Sequence, residues 1–219
     1  MIKKESPNHY NLGGDIVALV LHTTLGSMAS TTNWFLSLNS QVSAHFGVDR
    51  DGQIVQFVDL NQGAWHAGAR KNPSKRAKDV LPKTRWGTLK NPNKSTIGIE
   101  FVSGYDIDRD GVLEKWEQLY TPAQMKATAR LVIDVIEPEL GITFSGHNVL
   151  THKDIASYKP DLEVQRAMFL SVLQQERDRD TDFQPTPPSQ PASSRVISLG
   201  SNESAVVKME GEKVVIIKK

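Results

Sequence analysis

A chain of 219 residues, 38% hydrophobic and 23% charged, can bury a core and reads as one or two globular domains, not as a disordered or membrane protein. Its formal net charge of +1 offers no global field for a nucleic-acid partner, and the lack of cysteine excludes disulfides, thiolate metal sites and cysteine nucleophiles. Apolar runs such as Ile16 to Leu21 are too short to span a bilayer, and Lys3-Lys4 has no apolar stretch directly behind it, so the expectation is no secretory signal, no membrane insertion and synthesis in the cytosol.

Gly13-Gly14 breaks the chain, and Ile16 to Leu21 then reads as a central strand buried on both faces, with His22 at its C-terminal end. Functional groups in α/β sheets cluster beyond such strand ends. Ser30 or Thr31 caps a helix over Asn33 to Leu38. Ser43 to Val48 and Gln53 to Val58 flank Asp49-Arg50-Asp51-Gly52, a hairpin signal. Arg70 to Lys94 has no clear periodicity, is rich in Lys and Arg, and reads as a solvated lid. Thr96 to Val102 is a second buried strand carrying one carboxylate, Glu100.

Thr121-Pro122-Ala123-Gln124 starts a helix that Pro138 and Gly141 are expected to stop. A last helix over Leu162 to Arg177 places Val164, Ala167, Met168 and Val172 on its apolar side. The composition then changes. The expected organisation is a domain over residues 1–183, a Pro/Ser-rich linker over 184–195 and a short β-prone tail over 196–219.

The chemistry gathers around Thr151 to Asp161, where an imidazole (His152), an ammonium (Lys159) and a carboxylate (Asp161) lie within one loop, stiffened by Pro160. With His22 they make a set of two nitrogens and one carboxylate. Zn²⁺ accepts such ligands and keeps one position open for water, whose pKa it lowers to about 7. His147 rivals His152 as a ligand. The spacing of Lys159 and Asp161 favours His152. Glu100 is the candidate proton acceptor and Lys159 the candidate cation for an oxyanion, unless both serve only core and surface. His45 either faces the site or packs. Trp65 and His66 either line the cleft or fold its wall.

These residues resemble the zinc N-acetylmuramoyl-L-alanine amidase family. The resemblance rests on Leu21-His22-Thr23-Thr24, Ser43-Ala44-His45-Phe46 with Arg50-Asp51-Gly52, and Trp65-His66-Ala67-Gly68. Asn93 with Thr96-Ile97-Gly98-Ile99-Glu100, and His152 with Lys159 and Asp161, complete it in order. It implies an α/β fold with a mixed central sheet flanked by helices. It implies cleavage of the amide between the muramic acid lactyl group and L-alanine in peptidoglycan or muropeptides. By the same resemblance His22, His152 and Asp161 hold zinc, Glu100 is the base and Lys159 steadies the transition state. His45, Trp65, His66 and Asn93 are the candidate substrate contacts.

Two settings suit such an enzyme: a phage-type endolysin that reaches the wall through a separate pore, or a cytoplasmic recycling amidase. Rival readings are a peptidoglycan-binding module without catalysis and a non-haem iron site, which also uses two His and one carboxylate.

Overall fold

The computed structural model describes residues 1–68, 70–103, 120–159, 162–182, 195–198, 204–210 and 213–218. The chain divides into two compact units, Met1–Asp178 and Arg179–Lys219.

The first unit is built on a six-stranded mixed sheet. Its strands are β1 (Ile2–Lys3), β3 (Ala18–Leu25), β4 (Phe46–Val48), β5 (Ile54–Gln56), β7 (Thr96–Ser103) and β8 (Val149–Thr151). A two-stranded ribbon of β2 (His9–Asn11) and β6 (Gln62–Ala64) lies apart from it. The sheet order is β1-β5-β4-β7-β3-β8; only β4 and β5 pair antiparallel, through the hairpin expected around Gly52, whose φ is +89°. The sheet carries helices, as the resemblance implies.

Side chains alternate along a strand, so β3 and β7 each feed two different layers. Leu19, Leu21, Ile97, Ile99 and Phe101 share one core with Met125, Val132, Ile136, Phe144 and Phe169. Ala18 and Val20 share the other with Ala67, Ala77, Leu81, Leu150 and Ile155. His22 and Glu100 continue this second face. They are also register partners in the parallel β3–β7 pair. The central strand runs on to Leu25, so His22 sits inside it and not beyond its end.

Helix α1 (Met28–Leu36) starts earlier than its sequence suggests. Ser27 is the cap, and Ser30 closes a capping box with it from the third helical position. Within the basic segment, Ser74 caps the short helix α2 (Lys75–Val80).

Thr121 caps α3 (Pro122–Leu131) with Gln124 as its box partner. Pro138 does not stop this helix. A π-turn over Val132–Ile136 leads into α4 (Glu137–Leu140), where Pro138 occupies an early position that needs no N–H donor. The helix ends at Gly141, φ +64°.

After β8 comes α5 (His152–Ile155), then α6 (Glu163–Asp182). The apolar side assigned to α6 is corrected: Val164 is 64% exposed and Met168 41%, while Arg166, Phe169, Leu173 and Glu176 point inward. Buried Arg166 donates to the Val149 carbonyl at 2.7 Å and pairs with Glu163. A hydrophobicity pattern cannot see an inward arginine.

In the second unit β9 (Arg195–Ser198), β10 (Ser204–Glu210) and β11 (Lys213–Lys218) form an antiparallel sheet in the order β11-β10-β9. The Pro/Ser stretch before it lies outside the described residues. Among the described residues no helix is long and apolar enough to cross a membrane.

Candidate active site

Three imidazoles meet on the second face of the sheet. His22 comes from β3, His152 from the first turn of α5, and His66 from the segment after β6. His22 Nδ1 lies 2.9 Å from His152 Nδ1, and His22 Nε2 lies 2.9 Å from His66 Nδ1.

The outer hydrogen bonds fix every tautomer. Thr96 donates its hydroxyl to the Pro92 carbonyl at 2.9 Å, so Thr96 Oγ1 accepts from His66 Nε2 at 3.1 Å. His66 Nδ1 is therefore bare and accepts from His22 Nε2–H. That leaves His22 Nδ1 bare. His152 Nε2 donates to the Ala67 carbonyl at 3.1 Å, which leaves His152 Nδ1 bare as well. Burial first, then the adjoining imidazoles and the Lys159 ammonium, pushes the His22 pKa well below its usual value, and burial with Lys159 brings that of His152 down to about 4. Both rings are neutral at pH 7.

Two unprotonated nitrogens thus face each other at 2.9 Å with no proton to share. They repel unless an electrophile sits against both. Two nitrogen ligands on one tetrahedral zinc stand roughly 3.4 Å apart. The donor set fits a zinc ion, with each imidazole's second nitrogen donating to a fixed acceptor.

Among the described residues no three His, Asp or Glu side chains form a metal-holding group. Of the three expected ligands the described residues include His22 and His152; Asp161 and the neighbouring Pro160 lie outside them. His147, the rival to His152, is exposed.

Glu100 Oε1 approaches His22 Nδ1 to 3.9 Å, and its side chain is only 13% exposed. Burial raises its pKa to about 8, and the Lys159 ammonium opposes that rise. Lys159 also lowers the pKa of His22 and of His152, so its charge is felt across the site.

Tyr120, which the sequence reading missed, stacks on Phe101 with ring centroids 3.9 Å apart. It donates to the His22 carbonyl at 3.1 Å and lies 3.2 Å from Thr23 Oγ1. It steadies the backbone that carries His22.

The remaining candidates are placed as supports. His45 is fully buried: Gly98 N–H donates to its Nδ1, and its Nε2 donates to the Gln62 carbonyl, both at 3.0 Å. Its ring does not reach the cleft. Asn93 is buried and accepts from Ala67 N–H at 2.7 Å, holding at its amide end the residue whose carbonyl accepts from His152. His66 is buried behind His22. Trp65 is 42% exposed, with its ring tilted against Tyr10.

A second unlooked-for support anchors α5. Thr151 and Asp154 form its capping box, and Asp154 also accepts from Ser74 at 2.6 Å and pairs with Arg76 at 3.1 Å. The spacing Thr151-x-x-Asp154 was the signal for it.

The family model described as N-acetylmuramoyl-L-alanine amidase matches residues 12–163. N-acetylmuramoyl-L-alanine amidase A of Achromobacter lyticus is 34% identical over 96 residues, covering 43% of this chain and 42% of that protein. The amidase CwlA of Bacillus subtilis is 27% identical over 135 residues, covering 56% and 49%. The chain thus spans about half or less of the length of these relatives.

Among solved structures, AmpDh3 of Pseudomonas aeruginosa aligns with TM-score 0.51 and 22% identity, over 80% of this chain and 70% of that one. The PlyG catalytic domain aligns with TM-score 0.50 and 16% identity, over 85% of this chain and 100% of that one. These likenesses concern the fold. Sheet, site order and family model agree: the chain belongs to the N-acetylmuramoyl-L-alanine amidase family.

Proposed function

We propose that the chain is a zinc-dependent hydrolase of the amide between N-acetylmuramic acid and L-alanine in peptidoglycan or muropeptides. The observation that carries this reading is the pair of bare Nδ1 atoms of His22 and His152, 2.9 Å apart beside a buried Glu100. Family membership names the bond; the relatives carry the same name.

His22 and His152 would hold the ion with Asp161, and when bound it supplies Lewis acidity to carbonyl and water. Glu100 works beside His22. Burial alone favours its protonated form; a cation held by His22 and His152 would favour the carboxylate, which accepts the proton of the attacking water at Oε1 and then delivers it to the departing amine of L-alanine. Lys159 offers a positive charge to the oxygen that gains negative charge as the carbonyl is attacked. His66, Asn93 and the Ala67 peptide hold the imidazoles in the needed tautomers and touch no reacting atom.

The setting we favour is that of a phage-type endolysin. Support comes from the Pro/Ser stretch after residue 183 and the separate β unit beyond it, an arrangement suited to a catalytic module with an appendage. Mass spectrometry of products from a defined muropeptide, with metal content measured in parallel, tests the reaction. Release of free stem peptide that stops with chelator and returns with zinc is expected. Cleavage at another bond, or wall binding with no amide release, would overturn the reading. Lysis of intact walls against turnover of soluble anhydro-muropeptides separates the endolysin setting from a recycling one.

A further inference from the structure

The charge of this chain is unevenly spread. Residues 70–94 hold nine lysines and arginines and one acid, Asp79, while the whole chain nets +1. The remainder is therefore net negative. Lys75 pairs with Asp79, and Arg76 with Asp154 and Glu163. Among the described residues no carboxylate makes an ion pair with Lys78, Lys83, Arg85 or Lys90, and all four are exposed.

A hairpin over residues 82–90 presents part of this charge. Lys83 and Leu89 pair across it, Thr84 N–H donates to the Thr88 carbonyl at 2.7 Å, and Gly87 N–H donates to the Thr84 carbonyl at 3.0 Å. Gly87 takes φ +78°, which glycine adopts without strain, so the turn closes tightly with Arg85 and Trp86 at its tip. Leu81 and Leu89 anchor the hairpin in the core that holds Ala18 and Val20. The tip has no such cover. Trp86 is 77% exposed, more than any other large apolar side chain among the described residues. Its ring carries the Arg85 guanidinium 4.5 Å from the centroid. A cleft of about 700 Å³ adjoins the hairpin, lined by Arg70, Lys78, Lys83, Thr84 and Thr88, and every charged group in its lining is a cation.

An indole surrounded by water and cations that no acid neutralises call for different partners. The boundary of an anionic bilayer offers both, phosphate at the surface and hydrocarbon just beneath it. A soluble polyanion would leave the indole in water. The ring already carries Arg85 on its face and no aromatic side chain lines the cleft, so the tip is no platform for stacked bases.

We infer that this hairpin docks the protein on an anionic phospholipid surface. Trp86 enters at headgroup level, Arg85 stays beside it among the phosphates, and the cleft of Arg70, Lys78 and Lys83 takes a lipid phosphate. The contact is peripheral. It is independent of the amide reaction proposed above.

The test floats the full chain on vesicles of phosphatidylcholine with about one-third phosphatidylglycerol, with no substrate present. Saturable binding is expected, with a blue shift of tryptophan emission. Binding to phosphatidylcholine alone, or in ~0.5 M NaCl, should be at least ~10-fold weaker. Lys78→Gln combined with Lys83→Gln should weaken binding ~10–30-fold. Trp86→Ala should weaken it ~5–10-fold and remove the blue shift. All three side chains are exposed, so Tm and muropeptide turnover in solution should not change.

Failure to bind, equal binding to both vesicle types, or full binding in either variant overturns the inference. So does equal affinity, per phosphate, for soluble poly(glycerol phosphate) or an oligothymidylate, the behaviour of a general polyanion patch. Vesicle binding without muropeptide cleavage sinks only the amidase reading, and cleavage without vesicle binding sinks only this one.

Discussion

The histidines gathered at one sheet face, His45 and His22 buried and His152 half-buried, differ in how they spend their ring nitrogens. His45 spends both ring nitrogens on backbone, one on Gly98 N–H and one on the Gln62 carbonyl. His22 and His152 each spend one nitrogen and leave the other bare, and the bare atoms face each other. Burial lowers the pKa of all three, so a depressed pKa does not separate support from site. The unspent lone pair does. It is the feature that structure alone would not require.

The largest effect that can break this contrast comes from the bare nitrogens themselves. His22→Ala and His152→Ala should each lower muropeptide hydrolysis by ~10³-fold or more and empty the protein of zinc, read by metal analysis. His45→Gln should keep its metal. Equal metal loss in all three variants would erase the distinction.

Glu100 comes next. Glu100→Gln keeps the shape and removes the proton acceptor. Zinc content should stay intact while kcat falls ~10²–10⁴-fold with KM little changed. Retained turnover would move the proton work to another group.

A smaller effect comes from the layer behind the ligands. A Cβ at position 98 would stand 2.4 Å from His66 Cγ. Gly98→Ala should push His66 off the sheet and release the Nε2 proton of His22 from its acceptor. Zinc affinity should fall ~10–100-fold, measured by competition with a chelator of known affinity. An unchanged affinity would show that His22 needs no partner to hold its tautomer.

Much of this was legible in the residues. The alternation in Ala18 to His22 and in Thr96 to Phe101 puts His22 and Glu100 on the face opposite Leu21 and Ile99, and a parallel pair brings them level. Thr121-Pro122-Ala123-Gln124 gave its helix start because capping is local chemistry.

What depended on distant partners stayed hidden. Pro138 reads as a helix stop, yet a π-turn supplies the slack that carries the helix past it. The inward side of α6 was misplaced because buried Arg166 earns its position from the Val149 carbonyl, a bond across 17 residues. Tyr120 gives no sign in sequence that it will brace the His22 backbone from 98 residues away. His45 and Asn93 read as cleft residues because their types suit ligands, while their bonds to Gly98, Gln62 and Ala67 exist only once strands pair.

The smallest predicted effect tests the supporting side of the contrast through pH. Burial holds the His45 pKa down at about 4, against about 6.5 for an open imidazole. A depressed folded pKa means that the unfolded chain binds the proton first. The stabilisation is therefore fully present above pH 6.5 and is lost as pH falls from 6.5 through about 4. The shift corresponds to about 3 kcal/mol across that window. His22, His66 and His152 are pushed the same way, so the readout must be a difference between proteins, taken in chelator to keep metal out of it. At pH 7, His45→Gln should cost ~1–2 kcal/mol, because Gly98 N–H loses its acceptor. By pH 4.5 the unaltered chain loses about 2.5 kcal/mol that the variant keeps, so the gap, from urea unfolding, should close and reverse, since glutamine has nothing to protonate. A gap independent of pH would mean that His45 already shares a proton in the native state. Its ring would then belong with the site and not with the frame that holds it.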